Sequence, residues 1–349
     1  MRFAIARWLV VVPVITVAAL LALAGALAPW SLWGWSVLAA VVAAAVALAM
    51  RPSRGRRGLA LAAALAFVVI AVIRVAATGG AGAPGRMLTL PGAGSSRWLG
   101  RLVDEQDVSL AGARVLTWRW PLVREERATL PRAMRAAYVD MRADVGLTPS
   151  PVLDTLVGRQ RPDAFDAIVI ARAGAAPAET AVVFLHGFAG SFTLECWLVA
   201  RAADAIGAIT VCPATGFSGR WSERDGERTL RATLDLLHDR NIRRVYLAGL
   251  SNGAAGAAAL VPRYGPSLAG LILISGAPAV SAAPGVPALV VHGDRDPMAS
   301  ARAARAYATQ HHGRYAGFDA GHFVLLTHRD ETRAAIADWL RATEAALDR

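Results

Sequence analysis

The pattern of hydrophobic and polar positions changes twice along this chain of 349 residues. Up to about residue 80, three long apolar runs are separated by short polar connections. From residue 166 onward, short runs rich in Val, Ile and Leu alternate with stretches of helical periodicity. The segment between these two regions has no clear period. We therefore predict three parts: residues 1–80, residues 81–165 and residues 166–349.

The three apolar runs of the first part extend from Trp8 to Ala28, from Trp33 to Met50 and from Leu59 to Ala77. Each approaches the roughly 20 residues that a helix needs to cross the hydrocarbon core of a bilayer. They predict three transmembrane helices that anchor the chain in a lipid bilayer. A cleaved signal peptide, with the sequence ALA at 26–28 as its cut site, is the alternative for the first run.

Charge predicts how these helices are oriented. All 37 basic residues are Arg, and eight of them lie in residues 1–86, which contain no acidic residue. Most of the eight precede the first run or fill the connection at 51–58, which the positive-inside rule assigns to the cytoplasm. We therefore expect a multi-pass protein of the cell (inner) membrane, with everything after about residue 78 on the extracytoplasmic side.

The charge of the remaining chain argues against a nucleic-acid partner. The 263 residues from 87 onward carry 29 Arg against 26 Asp and Glu. A nucleic-acid-binding domain is expected to show a strongly basic patch or stripe, and this balance offers none.

The middle part contains few clear signals. Residues 78–97 are rich in Gly, Ala, Ser and Pro, which predicts a flexible tether. Residues 113–120, ARVLTWRW, alternate in the manner of a strand, and residues 130–144 suggest a helix. Trp118 and Trp120 either pack on one face of that strand, touch lipid headgroups or line a substrate entrance.

The third part has the pattern of an α/β domain. Buried strands that alternate with helices predict a mostly parallel sheet covered by helices on both faces. The predicted strands cover residues 166–172, 180–187, 207–212, 243–250, 268–275, 286–293 and 313–319. The predicted helices lie near residues 192–206, 225–240, 252–262, 299–311 and 329–347.

The sequence GLSNG stands between a predicted strand and an Ala-rich helix. In this context the pattern G-x-S-x-G predicts a nucleophile elbow, a sharp turn that presents Ser251 at the carboxyl end of the strand. Gly249 and Gly253 are the positions at which backbone segments must pass closely. The helix that follows presents its N-terminus at the same place, which favours developing negative charge.

A serine hydroxyl needs a base to take its proton, and the base needs an acid to orient it. In an elbow of this kind the acid and then the histidine follow the serine along the chain. His322 follows the last predicted strand, and both Asp294 and Asp296 follow the strand before it. All three lie at the strand ends that Ser251 also occupies, so position alone leaves two candidates for the acid.

Two backbone N–H groups are candidates for an oxyanion hole. One belongs to Asn252, directly after the nucleophile, and the other to Phe188 in the loop HGFAGS. Another loop at this edge, GFSGRWSERDGER, contains Arg220 and Trp221. These two residues either line the substrate pocket or belong to a polar loop with solvated charges.

Four short sequences, HGFAG, GLSNG, HGDRDP and GHF, occur in this order between residues 166 and 349 and resemble the α/β-hydrolase superfamily. The resemblance implies a serine hydrolase with Ser251 as nucleophile and His322 as base. It favours Asp296 as the acid, because the family places its acid three residues after the Gly of HG. It also implies that His186 and His292 are structural, and that neither a metal nor an organic cofactor is needed.

The function we expect is a membrane-anchored carboxylesterase, thioesterase or lipase-like hydrolase that acts on a small-molecule, lipid or polymer ester. Only about 35 residues separate Ser251 from the strand that carries the acid, which leaves no room for a large cap domain. The alternatives are an acyltransferase or serine peptidase on the same triad, or a non-catalytic envelope-binding protein that retains the fold. The oligomeric state stays open.

The two cysteines, Cys196 and Cys212, lie early in a predicted helix and at the end of a predicted strand. Both are expected near the same edge of the sheet. An extracytoplasmic domain permits a disulfide between them. Two buried free thiols are the equal alternative.

Overall fold

The computed structural model describes residues 2–27, 30–78, 83–91, 94–95, 99–102, 104–172, 178–278 and 282–349. Its helices are α1 (Arg2–Leu27), α2 (Leu32–Ala49), α3 (Arg54–Ala77), α4 (Leu99–Leu102), α5 (Glu105–Arg119), α6 (Arg124–Val145), α7 (Val152–Leu156), α8 (Thr193–Ala203), α9 (Arg224–Asp239), α10 (Asn252–Tyr264), α11 (Ala301–Gln310), α12 (Val324–Thr327) and α13 (Arg329–Leu347). Its strands are β1 (Gly85–Leu90), β2 (Gly94–Ser95), β3 (Phe165–Ile170), β4 (Thr180–Leu185), β5 (Ile209–Pro213), β6 (Arg244–Leu250), β7 (Gly270–Ile274), β8 (Ala288–Gly293) and β9 (Arg314–Phe318).

The chain divides into two compact units. The first unit combines Met1–Thr78 with Asp104–Leu116, and the second combines Gly79–Val103 with Thr117–Arg349. This division differs from the predicted one, because most of the segment that the sequence sets apart as a middle part belongs with the sheet.

The first unit is built on apolar helices. The helices α2 and α3 begin after the caps Ser31 and Ser53, whose hydroxyls accept the N–H groups of Gly34 and Arg56. Among the described residues, α2 and α3 are long and apolar enough to cross a membrane. The helix α1 is formed as well, whereas Ala28, at the proposed cut site, lies outside the described residues. An anchor of three spans therefore stays a prediction.

Residues 113–119 form a helix and Trp120 directly follows it, so the strand predicted at 113–120 is wrong. They are the second half of α5, which begins with Asp104 accepting the N–H of Gln106 through its side chain. Acidic residues in the first turn, Glu105 and Asp107, suit the positive end of the helix dipole. The residues that favour a helix start at Glu105 outweigh the strand-like alternation of residues 113–120. Trp118 is left largely exposed near the end of the helix.

The second unit contains a nine-stranded sheet in the order β2-β1-β3-β5-β4-β6-β7-β8-β9. The strands from β5 to β9 along this order are parallel, and β2, β1 and β3 are added in antiparallel fashion. From β4 the chain crosses to β5 on one side and then to β6 on the other. In open parallel sheets, ligands bind beside such a switch point, at the carboxyl ends of the strands.

Helices cover both faces of this sheet, as the sequence predicts. One set of alternate strand residues, including Val183 and Leu247, packs with buried residues of α9, α10 and α11. On the other face, the ring of Tyr246 meets that of Trp339 in α13, with ring centroids 5.9 Å apart. Each predicted strand and helix of residues 166–349 is present, with ends shifted by a few residues.

The predicted tether is only partly a connection. Within residues 78–97, the segment Gly85–Leu90 forms β1 and pairs with β3 over its whole length. Burial of Gly85, Met87 and Leu90 explains why this segment prefers the sheet to solvent. The parts of this segment at 79–82, 92–93 and 96–97 lie outside the described residues.

The helix predicted at 130–144 is present as the longer α6. Its buried face is a stripe at helical spacing, formed by Leu130, Met134, Ala137, Tyr138 and Met141. The helix packs against α8 and α12, so it is part of the second unit.

Candidate active site

Ser251 stands on the turn between β6 and α10 with φ 54° and ψ −117°, a backbone conformation that non-glycine residues rarely adopt. Its own N–H donates to the carbonyl of Ile274 at 2.8 Å, which ties the turn to the end of β7. The turn also needs its two glycines. A Cβ at Gly249 would collide with the backbone of Gly253, and a Cβ at Gly253 would collide with the carbonyl of Leu185.

The structure brings Ser251, His322 and Asp296 into one hydrogen-bonded row. The distance from His322 Nε2 to Ser251 Oγ is 3.1 Å, and that from His322 Nδ1 to Asp296 Oδ2 is 2.8 Å. The Asp296 side chain is fully buried and that of His322 is 7% exposed. Asp296 and His322 belong to loops after β8 and β9, at the same sheet edge as Ser251.

Hydrogen bonds hold Asp296 in its ionised form. Its Oδ1 accepts the N–H groups of Met298 and Ala299 at 2.7 and 2.9 Å. Burial alone would raise the pKa of Asp296, but the hydrogen bond and charge of His322, together with these two N–H groups, hold the pKa below its ordinary value. A carboxylate here accepts the Nδ1–H of His322 and leaves Nε2 free to accept the proton of Ser251.

The other candidate acid, Asp294, has different partners. Its carboxylate accepts the hydroxyl of Tyr315 at 2.6 Å and pairs with Arg305 at 2.7 Å. Of the two carboxylates that the sequence left open, Asp296 is therefore the one that meets His322.

The two predicted oxyanion donors belong to segments that are next to Ser251. Asn252 is the first residue of α10, where backbone N–H groups lack intrahelical acceptors. Phe188 follows Gly187, at which an added Cβ would stand 3.2 Å from the Cβ of Ser251. Within the described residues, the N–H groups of Asn252 and Phe188 have no acceptor. The N–H of Ala189, which follows Phe188, donates to the carbonyl of Phe217.

His186 stabilises the loop that carries Phe188. It is fully buried, and its Nε2 accepts the N–H of Thr215 at 3.1 Å while Nδ1 donates to the carbonyl of Gly187 at 2.8 Å. Burial lowers the pKa of His186 to about 4, and the two hydrogen bonds oppose this only in part. The ring is therefore neutral at pH 7 and has a structural role, as the resemblance implies.

His292 is likewise buried, beside the acid. Its Nε2 lies 3.3 Å from the carbonyl of Ala299 and 3.6 Å from Asp296 Oδ2. Burial lowers the pKa of His292, although the charge of Asp296 opposes the shift. It is therefore also a neutral supporting residue.

The prediction that Trp221 lines a substrate pocket is wrong. Trp221 is completely buried, its Nε1 donates to the carbonyl of His186 at 2.9 Å, and its ring meets the His186 ring edge-on. The side chain fits because Gly256 of α10 leaves it space, whereas Gly226 lets the backbone of Trp221 pass closely. Its neighbour Arg220 is exposed and pairs with Glu223 at 2.9 Å, so it has a surface ion pair and no described contact with the triad.

Sequence reasoning missed an aromatic pair at the site. The rings of Phe188 and Phe217 meet edge-on with centroids 4.8 Å apart, and both are exposed, by 55% and 39%. Large apolar side chains in such exposed positions beside a nucleophile offer contact area to an apolar group. The available signal was the placement of Phe217 in a loop at the carboxyl edge of the sheet.

Sequence reasoning also missed Glu126, a buried carboxylate of α6. Its Oε1 accepts the N–H of Phe323, the residue after His322, at 2.7 Å. The signal was a charge within an apolar helical stripe, because Glu126 lies four residues before Leu130 on the buried face.

Cys196 of α8 and Cys212 of β5 form a disulfide, which resolves the alternative that the sequence left open. In the described part of the chain, no cluster of three or more His, Cys, Asp or Glu side chains could hold a metal ion.

No protein-family model matches the sequence, and no curated protein matches it either. Similar solved structures include the Est1E protein of Butyrivibrio proteoclasticus, with 15% identity, a TM-score of 0.45, and coverage of 52% of this chain and 95% of that one. Another is XC6422 of Xanthomonas campestris, described as an α/β serine hydrolase without a lid, with 20% identity, a TM-score of 0.41, and coverage of 52% and 91%. A third is the esterase domain of a Rhodothermus marinus protein, with 17% identity, a TM-score of 0.42, and coverage of 52% and 93%.

At these values the likenesses carry no weight for the activity, which has to be argued from the contacts of the site. The fold of the second unit is α/β-hydrolase-like, with a mostly parallel sheet and a serine on the sharp turn between a central strand and the helix that follows.

Proposed function

We propose that this protein is a serine hydrolase that cleaves carboxylic ester or thioester bonds through an acyl-enzyme on Ser251. The observation that carries the proposal is the unbroken row from Asp296 through His322 to Ser251, with both contacts at hydrogen-bond distance. A serine aligned with a base, which is itself oriented by a buried carboxylate, is the arrangement that activates a hydroxyl for attack on a carbonyl.

In the acylation step, Ser251 Oγ attacks the carbonyl carbon while its proton passes to His322 Nε2. Asp296 stabilises the imidazolium and keeps its Nδ1–H in place. The N–H groups of Phe188 and Asn252 donate to the oxyanion, and each such donor typically contributes about 3–4 kcal/mol to lowering the barrier.

Collapse of the tetrahedral intermediate breaks the bond to the leaving alcohol or thiol, which takes the proton from His322. Water then gives its proton to the same Nε2 and attacks the acyl carbon. When this second intermediate collapses, Ser251 Oγ leaves and recovers the proton from His322, so the free acid departs and the enzyme returns to its first state.

The surroundings of Ser251 favour an ester with an apolar part. The exposed rings of Phe188 and Phe217 provide an apolar surface next to the oxyanion loop. Among the described residues between Ser251 and β8, the chain forms α10, a single 3-10 turn, β7 and connections, and they include no cap domain. We therefore propose a bulky or surface-bound ester, such as that of a lipid, a polymer or an acylated envelope component.

We further propose that the second unit acts on the extracytoplasmic side of a membrane. The helices α2 and α3 support this, because large apolar side chains such as Leu32, Leu61 and Leu65 are exposed to the surroundings. The Arg-rich connection at 51–58 supports the same orientation. The disulfide between Cys196 and Cys212 adds support, because disulfides persist in oxidising compartments.

The decisive experiment is labelling of membranes that contain the full chain with a fluorophosphonate probe, which reacts with activated serines. We expect a labelled band for the wild type that is absent in Ser251→Ala and kept in Ser218→Ala, a matched control for a nearby hydroxyl. The band should stay with the membranes after an alkaline carbonate wash. A well-folded wild type without a band would contradict the proposed chemistry, and a band released by the wash would contradict the anchor.

A further inference from the structure

The first turn of α6 contains two consecutive glutamates, of which one is exposed and the other is buried. Glu125 is exposed and pairs with Arg295 at 3.1 Å. Glu126 is only 2% exposed and lies on the apolar stripe that faces the second unit. Burying a carboxylate is costly unless it gains hydrogen bonds that water would otherwise supply, so its position requires a physical reason.

The contacts of Glu126 all point to the loop that carries His322. Its Oε1 accepts the N–H of Phe323 at 2.7 Å, across 197 positions of sequence. A Cβ at Gly321 would collide with its carboxylate, so the carboxylate also fills the space beside the residue before His322. Among the described residues, its second oxygen, Oε2, has no hydrogen-bond partner.

The electrostatic environment agrees with this geometry. Burial raises the pKa of Glu126, whereas the hydrogen bond from the backbone N–H of Phe323 and the charge of His322 oppose the shift. The carboxylate of Asp296 is close enough to raise the pKa further. The free-energy cost of burying Glu126 is thus offset mainly by its contacts with the base loop, residues 319–323, which carries His322.

The base loop is short, so one anchor can determine its conformation. Only residues 319–323 connect β9 to α12, and His322 is the fourth of them. Holding the N–H of Phe323 fixes the peptide plane that follows His322, and with it the direction in which the imidazole leaves the backbone. A shift of about 1 Å in a catalytic group can cost on the order of 100-fold in rate.

We propose that Glu126 is a positioning residue for His322, which accepts the backbone N–H of Phe323 and thereby holds the imidazole in line with Ser251. This inference rests on the proposed function. It assigns to α6, which the sequence set apart from the catalytic region, a direct part in aligning the base.

The test compares Glu126→Gln, which keeps an acceptor of the same length, with Glu126→Met, which keeps the length and removes the acceptor. Glu125→Ala serves as the control on the adjacent exposed position. In the full chain in detergent, we expect Glu126→Met to lower kcat about 10- to 100-fold with KM within about threefold. Glu126→Gln should stay within about threefold of the wild type in both constants, and Glu125→Ala within about twofold.

The folded state of each variant is checked by its thermal midpoint. If Glu126→Met aggregates, Glu126→Asp takes its place, because it withdraws the carboxylate by one methylene, and the same loss of kcat is expected. Unchanged kcat in the variant without the acceptor, or a loss in Glu126→Gln as large as in Glu126→Met, would overturn the positioning role.

A second readout does not depend on turnover. In the full chain with ¹⁵N-labelled histidine, the Nδ1–H signal of His322, assigned by its loss in His322→Gln, should shift or broaden in Glu126→Met and stay in place in Glu126→Gln. An unchanged signal in Glu126→Met contradicts the proposal even if activity falls. If the wild type neither takes the fluorophosphonate label nor cleaves any ester, the proposed function fails, and this signal still decides the role of Glu126.

Discussion

On one side of the candidate site, Ser251 and the loop of Phe188 are held by backbone hydrogen bonds and by the buried rings of His186 and Trp221. On the other side, Asp296 and His322 lie on loops that are stabilised by contacts of charged side chains. Arg295, next to Asp296, pairs with Asp319 at 2.5 Å and with Glu125 at 3.1 Å.

Because of this difference, substitutions on the two sides should affect stability and activity differently. Buried rings and backbone contacts stabilise the whole unit, so changes on the nucleophile side should lower the free energy of unfolding. The charged contacts near Asp296 and His322 are partly exposed, and such contacts contribute little to stability. Removing such an exposed pair, as in Glu125→Ala, should therefore change little, whereas loss of the buried acceptor Glu126 should lower the rate, because it affects where the imidazole of His322 stands.

The largest expected effect separates the two candidate acids. Asp296→Asn should lower kcat/KM by about 10³- to 10⁴-fold, because an amide cannot hold the required tautomer of His322 or stabilise its cation. The matched variant Asp294→Asn should stay within about threefold, since Asp294 bonds Tyr315 and Arg305. Ester hydrolysis and fluorophosphonate labelling rates provide the measurement. Similar losses in the two variants would contradict the assignment of Asp296.

The next effect concerns two neighbours on the nucleophile side. Trp221→Ala should lower the free energy of unfolding by about 3–5 kcal/mol, because it removes a fully buried ring and a hydrogen bond to His186. Arg220→Ala should change it by less than about 0.5 kcal/mol, because its ion pair with Glu223 is exposed. Denaturant or thermal unfolding in detergent tests both. Equal effects would show that the buried contacts of Trp221 do not stabilise the unit.

The smallest expected effect is a pH dependence of stability. Burial lowers the pKa of His186 to about 4 in the folded chain, against about 6.5 when unfolded. Between these two values the unfolded chain binds more protons than the folded chain. The contribution of the neutral His186 to the free energy of unfolding is therefore complete above about pH 6.5, and it falls by about 2–3 kcal/mol toward pH 4.5.

The comparison is made between the wild type and His186→Asn, which keeps a donor and an acceptor but does not titrate. The variant should lose less stability between pH 7 and pH 4.5, as measured by thermal midpoints. Asp296 does not interfere, because a carboxylate with a lowered pKa loses its contribution only below its ordinary value of about 3.9. Parallel curves for the two proteins would contradict a neutral, buried His186.

The features that the sequence predicted have local signals. Ser251 stands in a five-residue motif between a strand and a helix, and His322 directly follows a strand, so pattern and chain order suffice to find both. The choice of Asp296 over Asp294 came from a family resemblance, because their spacing alone could not separate two carboxylates two residues apart.

The features that the sequence missed depend on distant contacts. Nothing near Glu126 indicates that Phe323 lies beside it, because the fold alone brings them together. Trp221 stands among charged residues that suggest an exposed loop, whereas the distant Gly256 makes room for its side chain. Residues 113–120 alternate like a strand, but the helix that starts at Glu105 extends as far as Arg119.

The antiparallel pairing of β1 with β3 bears on aggregation. β1 occupies one whole edge of β3, so that edge carries no free row of N–H and C=O groups in the folded unit. A chain that began at the predicted boundary, residue 166, would lack β1 and would present β3 as an open edge to other molecules. Exposed, flat, apolar edges of this kind are templates for pairing between chains. A shortened chain that contains the second unit should therefore begin no later than Gly85, so that the protein itself supplies the strand that a second molecule would otherwise add.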